Sequence, residues 1–263
     1  MRPGPRAAGW AMVVALVGTA FVAVAADTAP DPRRSGFEFM SPQTRAMQQD
    51  DASNPAMLWV SDGEALWDRK AGASELACAS CHAAAGTSMR GVAASYPRFD
   101  SALQRSLDLR QRINVCRVKH QQAAALATES HDLLSIEAFV ALQSRGLPIT
   151  PDADPRVLPF RERGAALFKQ RIGQLDLSCT ICHDALAGQR LGSAVIPQAH
   201  PTGYPIYRLE WQGLGSLQRR LRGCMSGVRA EPFAFGAPEF VELELYLMQR
   251  ASGMPLETPA VRP

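Results

Sequence analysis

The pentapeptide Cys-x-x-Cys-His occurs twice, as Cys78-Ala79-Ser80-Cys81-His82 and as Cys179-Thr180-Ile181-Cys182-His183. No other feature constrains the fold as much, because this pentapeptide is the attachment signal for a c-type haem. The two cysteines are spaced to form thioethers with the two vinyl groups of one haem, and the following histidine reaches the iron from the proximal side. Covalent attachment lets a short chain with a small core keep a large apolar cofactor. Paired cysteines also suit a four-cysteine zinc site or a redox dithiol. Neither calls for a histidine directly after the second cysteine, and both copies have one. The expectation is two covalently attached c-type haems on Cys78, Cys81, Cys179 and Cys182, with His82 and His183 as proximal iron ligands.

The start of the chain supplies the compartment. Arg2 and Arg6 precede a largely apolar run from Ala7 to Val24, and Ala23-Val24-Ala25 offers small residues for cleavage. Residues 1–26 read as a secretory signal peptide cut near Ala25 or Ala26. A membrane anchor is the competing reading, but the run is rich in Ala, Val and Gly and is broken by Thr19, which makes it marginal for spanning a bilayer. The expected mature protein is exported to the periplasm with no membrane anchor. Charge excludes one partner class. The chain has 28 basic and 25 acidic side chains, and loss of Arg2 and Arg6 with the leader leaves 26 against 25. With no polybasic tract, nucleic acid is not an expected partner.

An internal repeat sets the architecture. At an offset of 101, Gly63 falls on Gly164, Leu66 on Leu167, Trp67 on Phe168 and Cys78 on Cys179. At 108, Tyr96-Pro97 falls on Tyr204-Pro205, Leu109 on Leu217, Arg112 on Arg220 and Cys116 on Cys224. At 107, Glu137 falls on Glu244, Phe139 on Tyr246, Gly146 on Gly253 and Pro148 on Pro255. The offset changes are differences in loop length, and each unit has the usual size of a domain. The fold class expected is mainly α: two tandem class I cytochrome c-like domains related by internal duplication. Residues 27–57 form an N-terminal arm that wraps the surface or a partner. Residues 58–150 are the first domain and 151–263 the second, joined through the proline-bearing stretch 146–159. Helices are expected over 64–69 and 165–170 before the two motifs, over 135–143, over 238–248, and by apolar spacing over 103–115 and 214–223.

The distal ligands are less direct. Methionine or histidine is usual in small c-type cytochromes, and Met89, His120 and His131 in the first copy and Met225, Met248, Met254 and His200 in the second are available. None of the histidines recurs at an equivalent position. Cysteine does, at Cys116 and Cys224, and a duplicated fold should place its distal ligand at the same point twice. A Cys116–Cys224 disulfide in an exported chain is the alternative. Around Cys224 the chain reads Arg219-Arg220-Leu221-Arg222-Gly223-Cys224-Met225-Ser226-Gly227-Val228-Arg229. Arginines lower a thiol pKa and attract oxyanions, and Gly223 and Gly227 are read as letting the backbone turn tightly beside a ligand. The alternative is a solvated helix face. The reading favoured is a reactive site in the second copy and a plainer electron-transfer haem in the first.

The two motifs, the matched cysteines, the segment Cys224-Met225-Ser226-Gly227-Val228-Arg229 and the tail from Glu244 to Pro263 resemble the SoxA family, the dihaem subunits of L-cysteine S-thiosulfotransferase in bacterial Sox sulfur oxidation. The resemblance covers nearly all of the mature chain. It implies a heterodimer with a SoxX-type monohaem cytochrome c. It implies oxidative coupling of thiosulfate to a cysteine of the carrier SoxYZ, with two electrons leaving to a soluble cytochrome c. It implies His/Cys ligation of both irons (His82 and Cys116, His183 and Cys224), Cys224 as the reacting sulfur and a persulfide carrier, and Arg220 as the substrate-site arginine. A plain dihaem electron carrier, a dihaem peroxidase, and a thiosulfate dehydrogenase making tetrathionate are the other classes open to such a chain.

Overall fold

A helix, a Cys-x-x-Cys-His turn, a hairpin and two more helices follow one another twice along the chain. The computed structural model describes residues 1, 3, 4 and 31–263; the rest of the expected leader and the start of the arm lie outside the described residues. The arm carries α1 (Pro42–Gln49). The first copy then runs through α2 (Ala56–Asp68), α3 (Cys78–His82), the short α4 (Ala85–Ser88), a hairpin of β1 (Arg98–Asp100) and β2 (Arg105–Leu107), α5 (Leu109–Cys116) and α6 (His131–Leu142). The second begins with α7 (Leu158–Lys169) and a π-helical turn at Ile181–Ala185. A small hairpin of β3 (Arg190–Leu191) and β4 (Ala194–Val195) comes next. It lies where the repeat offset grows from 101 to 108. β5 (Ile206–Arg208), β6 (Gly213–Gly215), α8 (Leu217–Gly227) and α9 (Pro238–Arg250) then repeat the earlier order. The final strand β7 (Ala260–Arg262) lies parallel to β5 and completes a sheet of order β6-β5-β7.

The helices expected over 103–115 and 214–223 begin later than their apolar spacing suggests. α5 starts behind Asp108, whose carboxylate accepts from the Gln111 N–H at 2.7 Å while the Gln111 carboxamide accepts from the Asp108 N–H at 3.2 Å. α8 starts behind Ser216, whose hydroxyl accepts from the Arg219 N–H at 3.1 Å. A capping residue holds an extended backbone, so the residues before each cap continue the strand and only those after it are helical.

Two glycines set the distance between the main helix pairs. A Cβ at Gly63 of α2 would lie 2.0 Å from the Ser135 carbonyl oxygen of α6, and one at Gly164 of α7 would lie 1.9 Å from that of Glu242 in α9. Val60, Trp67, Leu134 and Phe139 fill the first core, and Phe168, Phe240, Leu243 and Leu247 the second. Residues Arg33–Pro263 form one compact unit. Between the copies lies a third cluster that includes Ile149, Met248, Met254 and Leu256. The stretch 146–159 does not hang free there: the Ile149 N–H donates to the Met254 carbonyl and the Gly253 N–H to the Ile149 carbonyl, both at 2.8 Å.

The seam also buries charge. Arg110, 4% exposed, lies 2.8 Å from Asp108, 3.6 Å from Glu129, 3.8 Å from Glu137 and 3.9 Å from Glu244. Gln218 stands at the position of Arg110 in the second copy and donates to Asp108 at 2.8 Å. Four carboxylates share one guanidinium. Burial therefore pushes Glu137 up to about 7, and burial with the nearby Asp108 pushes Glu244 up to about 8.

The described part of the arm lies against the C-terminal segment. Arg33 donates to the carbonyls of Arg250 and Ser252 at 3.1 and 2.7 Å, Ser35 donates to Glu257 at 2.5 Å, and Gln48 of α1 accepts from the Val261 N–H at 3.1 Å. No helix among the described residues is long and apolar enough to cross a membrane.

Candidate functional site

Residues four apart lie on one face of a helix, so α8 presents Arg220 and Cys224 to the same side. His183 reaches that side from the Ile181–Ala185 turn. Its Nδ1–H donates to the Pro197 carbonyl at 2.7 Å, which leaves Nε2 as the ring nitrogen free to face Cys224. Burial pushes the Cys224 thiol up. The hydrogen bond from His183 and the positive fields of Arg220 and Arg208 outweigh that push and hold the thiol below its ordinary pKa. Cys179, of the same motif as His183, is pushed up to about 11 by burial and by the neighbouring Cys224.

These groups open onto a cavity of about 560 Å³ lined by His183, Tyr204, Arg208, Arg220, Cys224 and Arg262 among others, with Arg190 and Val195 of the β3–β4 hairpin contributing to its wall. That volume is within the range of cofactor sites. A histidine whose Nδ1–H is anchored on a carbonyl is oriented for metal binding through Nε2, and a low-pKa thiol opposite it supplies a soft second ligand. The residues of the second copy therefore fit an attached haem.

The first copy brings Cys116, at the end of α5, to its own motif. Cys116 is close enough to Cys78 and Cys81 for their charges to interact, and burial, only partly offset by Arg112, raises its pKa. Trp67 stands 5.8 Å from the His82 ring and donates from its indole N–H to the Ala83 carbonyl at 3.1 Å. Cys78, Cys81, His82 and Cys116 are thus gathered as a donor set of the same type.

Several expectations change on this geometry. All six cysteines are free. Cys116 and Cys224 each face the motif of their own copy, so the disulfide alternative is not formed. Met225, Met248 and Met254 are core residues, and Met89 packs against the first core. His131 is engaged by Asp62 at 2.8 Å, and His120 is exposed on the turn after α5. Of these alternative ligands, only His200 lines the second cavity. Gly223 and Gly227 make no tight turn: both belong to α8, Gly227 as its last residue. Arg222 turns away, donating to the Phe233 carbonyl and stacking 4.6 Å over Phe235. Arg219 lies 4.3 Å over Trp211. Arg229 follows the helix with φ of 57° and is not among the cavity residues. Of the arginines flanking Cys224, only Arg220 enters the cavity.

Besides Arg190 of the hairpin, the cavity is lined by Arg208 and Arg262, which sequence reasoning missed. They are directly opposite in the parallel pairing of β5 and β7. The one available signal was the repeat itself, which aligns Arg208 with Asp100.

The chain has clear relatives. A family model described as the SoxA/TsdA cytochrome c domain matches residues 62–149. The L-cysteine S-thiosulfotransferase subunit SoxA of Rhodovulum sulfidophilum is 36% identical over 88% of this chain and 81% of its own length. The subunit of the same name from Paracoccus pantotrophus is 34% identical over 93% of this chain and 83% of its own length. The crystal structure of SoxXA from P. pantotrophus superposes with a TM-score of 0.84 at 32% identity, covering 88% of this chain and 87% of that one. The mainly helical fold described above is accordingly cytochrome c-like.

Proposed function

The chain belongs to the SoxA family of L-cysteine S-thiosulfotransferase subunits, and from that premise we propose how its residues couple thiosulfate to a cysteine of a SoxYZ-type carrier protein. The observation that carries the reading is the convergence of Cys224, His183 and Arg220 on one cavity. Two covalent haems are proposed: one on Cys78 and Cys81 with His82 and Cys116 holding its iron, the other on Cys179 and Cys182 with His183 and Cys224. When bound, haem supplies an electron acceptor beside each cysteine sulfur.

Arg220 draws the thiosulfate dianion to Cys224 by charge-assisted hydrogen bonding. The Cys224 thiolate and the terminal sulfur of thiosulfate then join. One S–S bond forms, two electrons leave, and Cys224 carries a thiosulfonate. A deprotonated carrier cysteine next attacks the sulfane sulfur bonded to Cys224 Sγ. A new S–S bond to the carrier forms as the bond to Sγ breaks, the carrier takes the S–SO3 group and Cys224 leaves as thiolate, so the second step needs no further electrons. The positive fields of Arg220 and Arg208 at the thiol favour Cys224 as the thiolate in both steps. The electrons pass to c-type haem acceptors, including a SoxX-type partner in a heterodimer, as in the complex named SoxXA. The sequence of residues 1–26, read as a secretory leader, supports export and work in the periplasm.

The test is Cys224→Ala in protein matured with its haems, assayed with carrier and electron acceptor. Loss of most coupling turnover is expected. Turnover equal to that of the unaltered protein would sink transfer through Cys224.

A further inference from the structure

The repeat makes the surroundings of Cys116 and Cys224 directly comparable, and at one position they carry opposite charge. The offset of 108 that pairs Arg112 with Arg220 and Cys116 with Cys224 also pairs Asp100 with Arg208. Each is the last residue of the first strand of its hairpin, β1 or β5. In the first copy Asp100 accepts from the Arg112 guanidinium. Its carboxylate also accepts from the N–H groups of Ala102 and Leu103, each at 2.8 Å. Tyr96 makes a further hydrogen bond with Arg112. The arginine one turn before Cys116 is therefore neutralised.

The second copy is built the other way. Arg220 forms no ion pair among the described residues and faces another cation, Arg208. The Arg208 side chain is only 14% exposed. Its Nη2 donates to Glu210 at 2.7 Å, a carboxylate that is itself 63% exposed and so well screened. Its guanidinium lies 5.2 Å from the Trp211 ring, and its Nε is buried with no hydrogen-bond partner. Burial and Arg220 together pull the Arg208 pKa below its ordinary value. Arg262, opposite Arg208 in the sheet, is already held by Glu257 at 2.9 Å and by Gln48. What remains is a pair of like charges with an unused buried donor, both lining the cavity at Cys224. An orphaned buried donor and two close cations each favour an anion between them.

We propose that Arg208 and Arg220 form a two-guanidinium clamp for an oxyanion, filled by the sulfonate oxygens of thiosulfate, and that Arg208 is the specificity residue that makes the second copy a substrate site. The clamp holds the sulfonate end, which leaves the terminal sulfur of thiosulfate to meet Cys224. In the first copy Asp100 occupies the anion's place. The proposal deepens the functional reading above and rests on it. The carboxylates of an attached haem share the same oxyanion chemistry and are the rival occupant.

The experiment uses the haem-loaded protein and three variants, Arg208→Lys, Arg208→Gln and Arg208→Asp, the last of which rebuilds the first copy's ion pair with Arg220. Thiosulfate binding is measured by calorimetry without carrier, alongside KM and kcat with carrier, haem content and haem potentials. Arg208→Gln is expected to weaken thiosulfate binding and raise KM roughly 10- to 100-fold, the worth of a charged hydrogen bond, with a smaller change in kcat. Arg208→Asp is expected to lose more and Arg208→Lys less, all three with two haems and unchanged potentials. Unchanged thiosulfate binding in Arg208→Gln and Arg208→Asp overturns the clamp. So does a loss confined to haem content or potential, which assigns Arg208 to the haem carboxylates. Failure of the unaltered protein to bind thiosulfate overturns it as well. Calorimetry needs no turnover, so absence of coupling to a carrier cysteine would defeat the functional reading while binding still reported on Arg208.

Discussion

Arg112 and Arg220 occupy the same turn of the same helix, each four residues before a cysteine. Arg112 is tied to Asp100 and Tyr96, whereas Arg220 faces Arg208 across a cavity. Nearly everything else around them is shared: the capped helix start, the hairpin before it, the glycine contact between the long helices and the cis Tyr96–Pro97 and Tyr204–Pro205 bonds. The second copy adds the β3–β4 hairpin beside its cavity. The comparison teaches that one scaffold can hold the same donor set twice while a single strand residue decides whether a neighbouring arginine is paired with a carboxylate or left beside a second cation at a cavity.

The sharpest break of that comparison is at the cysteines. Cys224→Ala is expected to remove most thiosulfate-coupling turnover and Cys116→Ala much less, read as acceptor reduction with carrier present. Equal losses would erase the proposed division between a reactive and a plainer copy. Next come the matched arginines. Arg220→Ala should raise the thiosulfate KM roughly 10- to 100-fold with little loss of fold stability, since it also relieves repulsion with Arg208. Arg112→Ala should leave KM alone and lower unfolding stability by about 1–3 kcal/mol, because the largely buried Asp100 loses its cation. Urea titration and steady-state kinetics on both variants separate the two effects, and a KM change in Arg112→Ala would contradict the assignment.

The shared scaffold can be tested in the same paired way. Gly63→Ala and Gly164→Ala each drive a Cβ into a backbone carbonyl and should each cost about 1–3 kcal/mol. A loss in only one of them would show that the two helix pairs do not carry the fold alike. The smallest expected effect is at the seam. Glu137 and Glu244 have folded pKa values raised to about 7 and about 8, above the ordinary carboxylate range. Their contribution is therefore fully present at acid pH and is lost as pH rises through those values. Denaturation midpoints should fall between about pH 5 and pH 8, from the ordinary carboxylate pKa up to the raised folded ones, and Glu244→Gln should flatten the slope. An unchanged slope would place the pH dependence elsewhere.

The primary structure alone determined the haem motifs, the repeat and the matched cysteines, because vinyl spacing and duplication leave their record in local residue order. Through the family resemblance it also marked Arg220, four residues before Cys224, as the substrate-site arginine; that the two share a helix face follows from α8 running on past Cys224. It misjudged where the two helices start, because apolar spacing runs on through β2 and β6 and only the caps at Asp108 and Ser216 mark the change. Composition and spacing, without the resemblance, could not choose among the arginines. Arg222 lies two residues from Cys224 in sequence but on another side of the helix, bound to the Phe233 carbonyl. Arg208 and Arg262 reach the cavity from β5 and β7, where only the parallel pairing of the C-terminal strand brings them abreast. Charge acts through distance in space, and between elements far apart in the chain that distance is set by how the strands and helices pack.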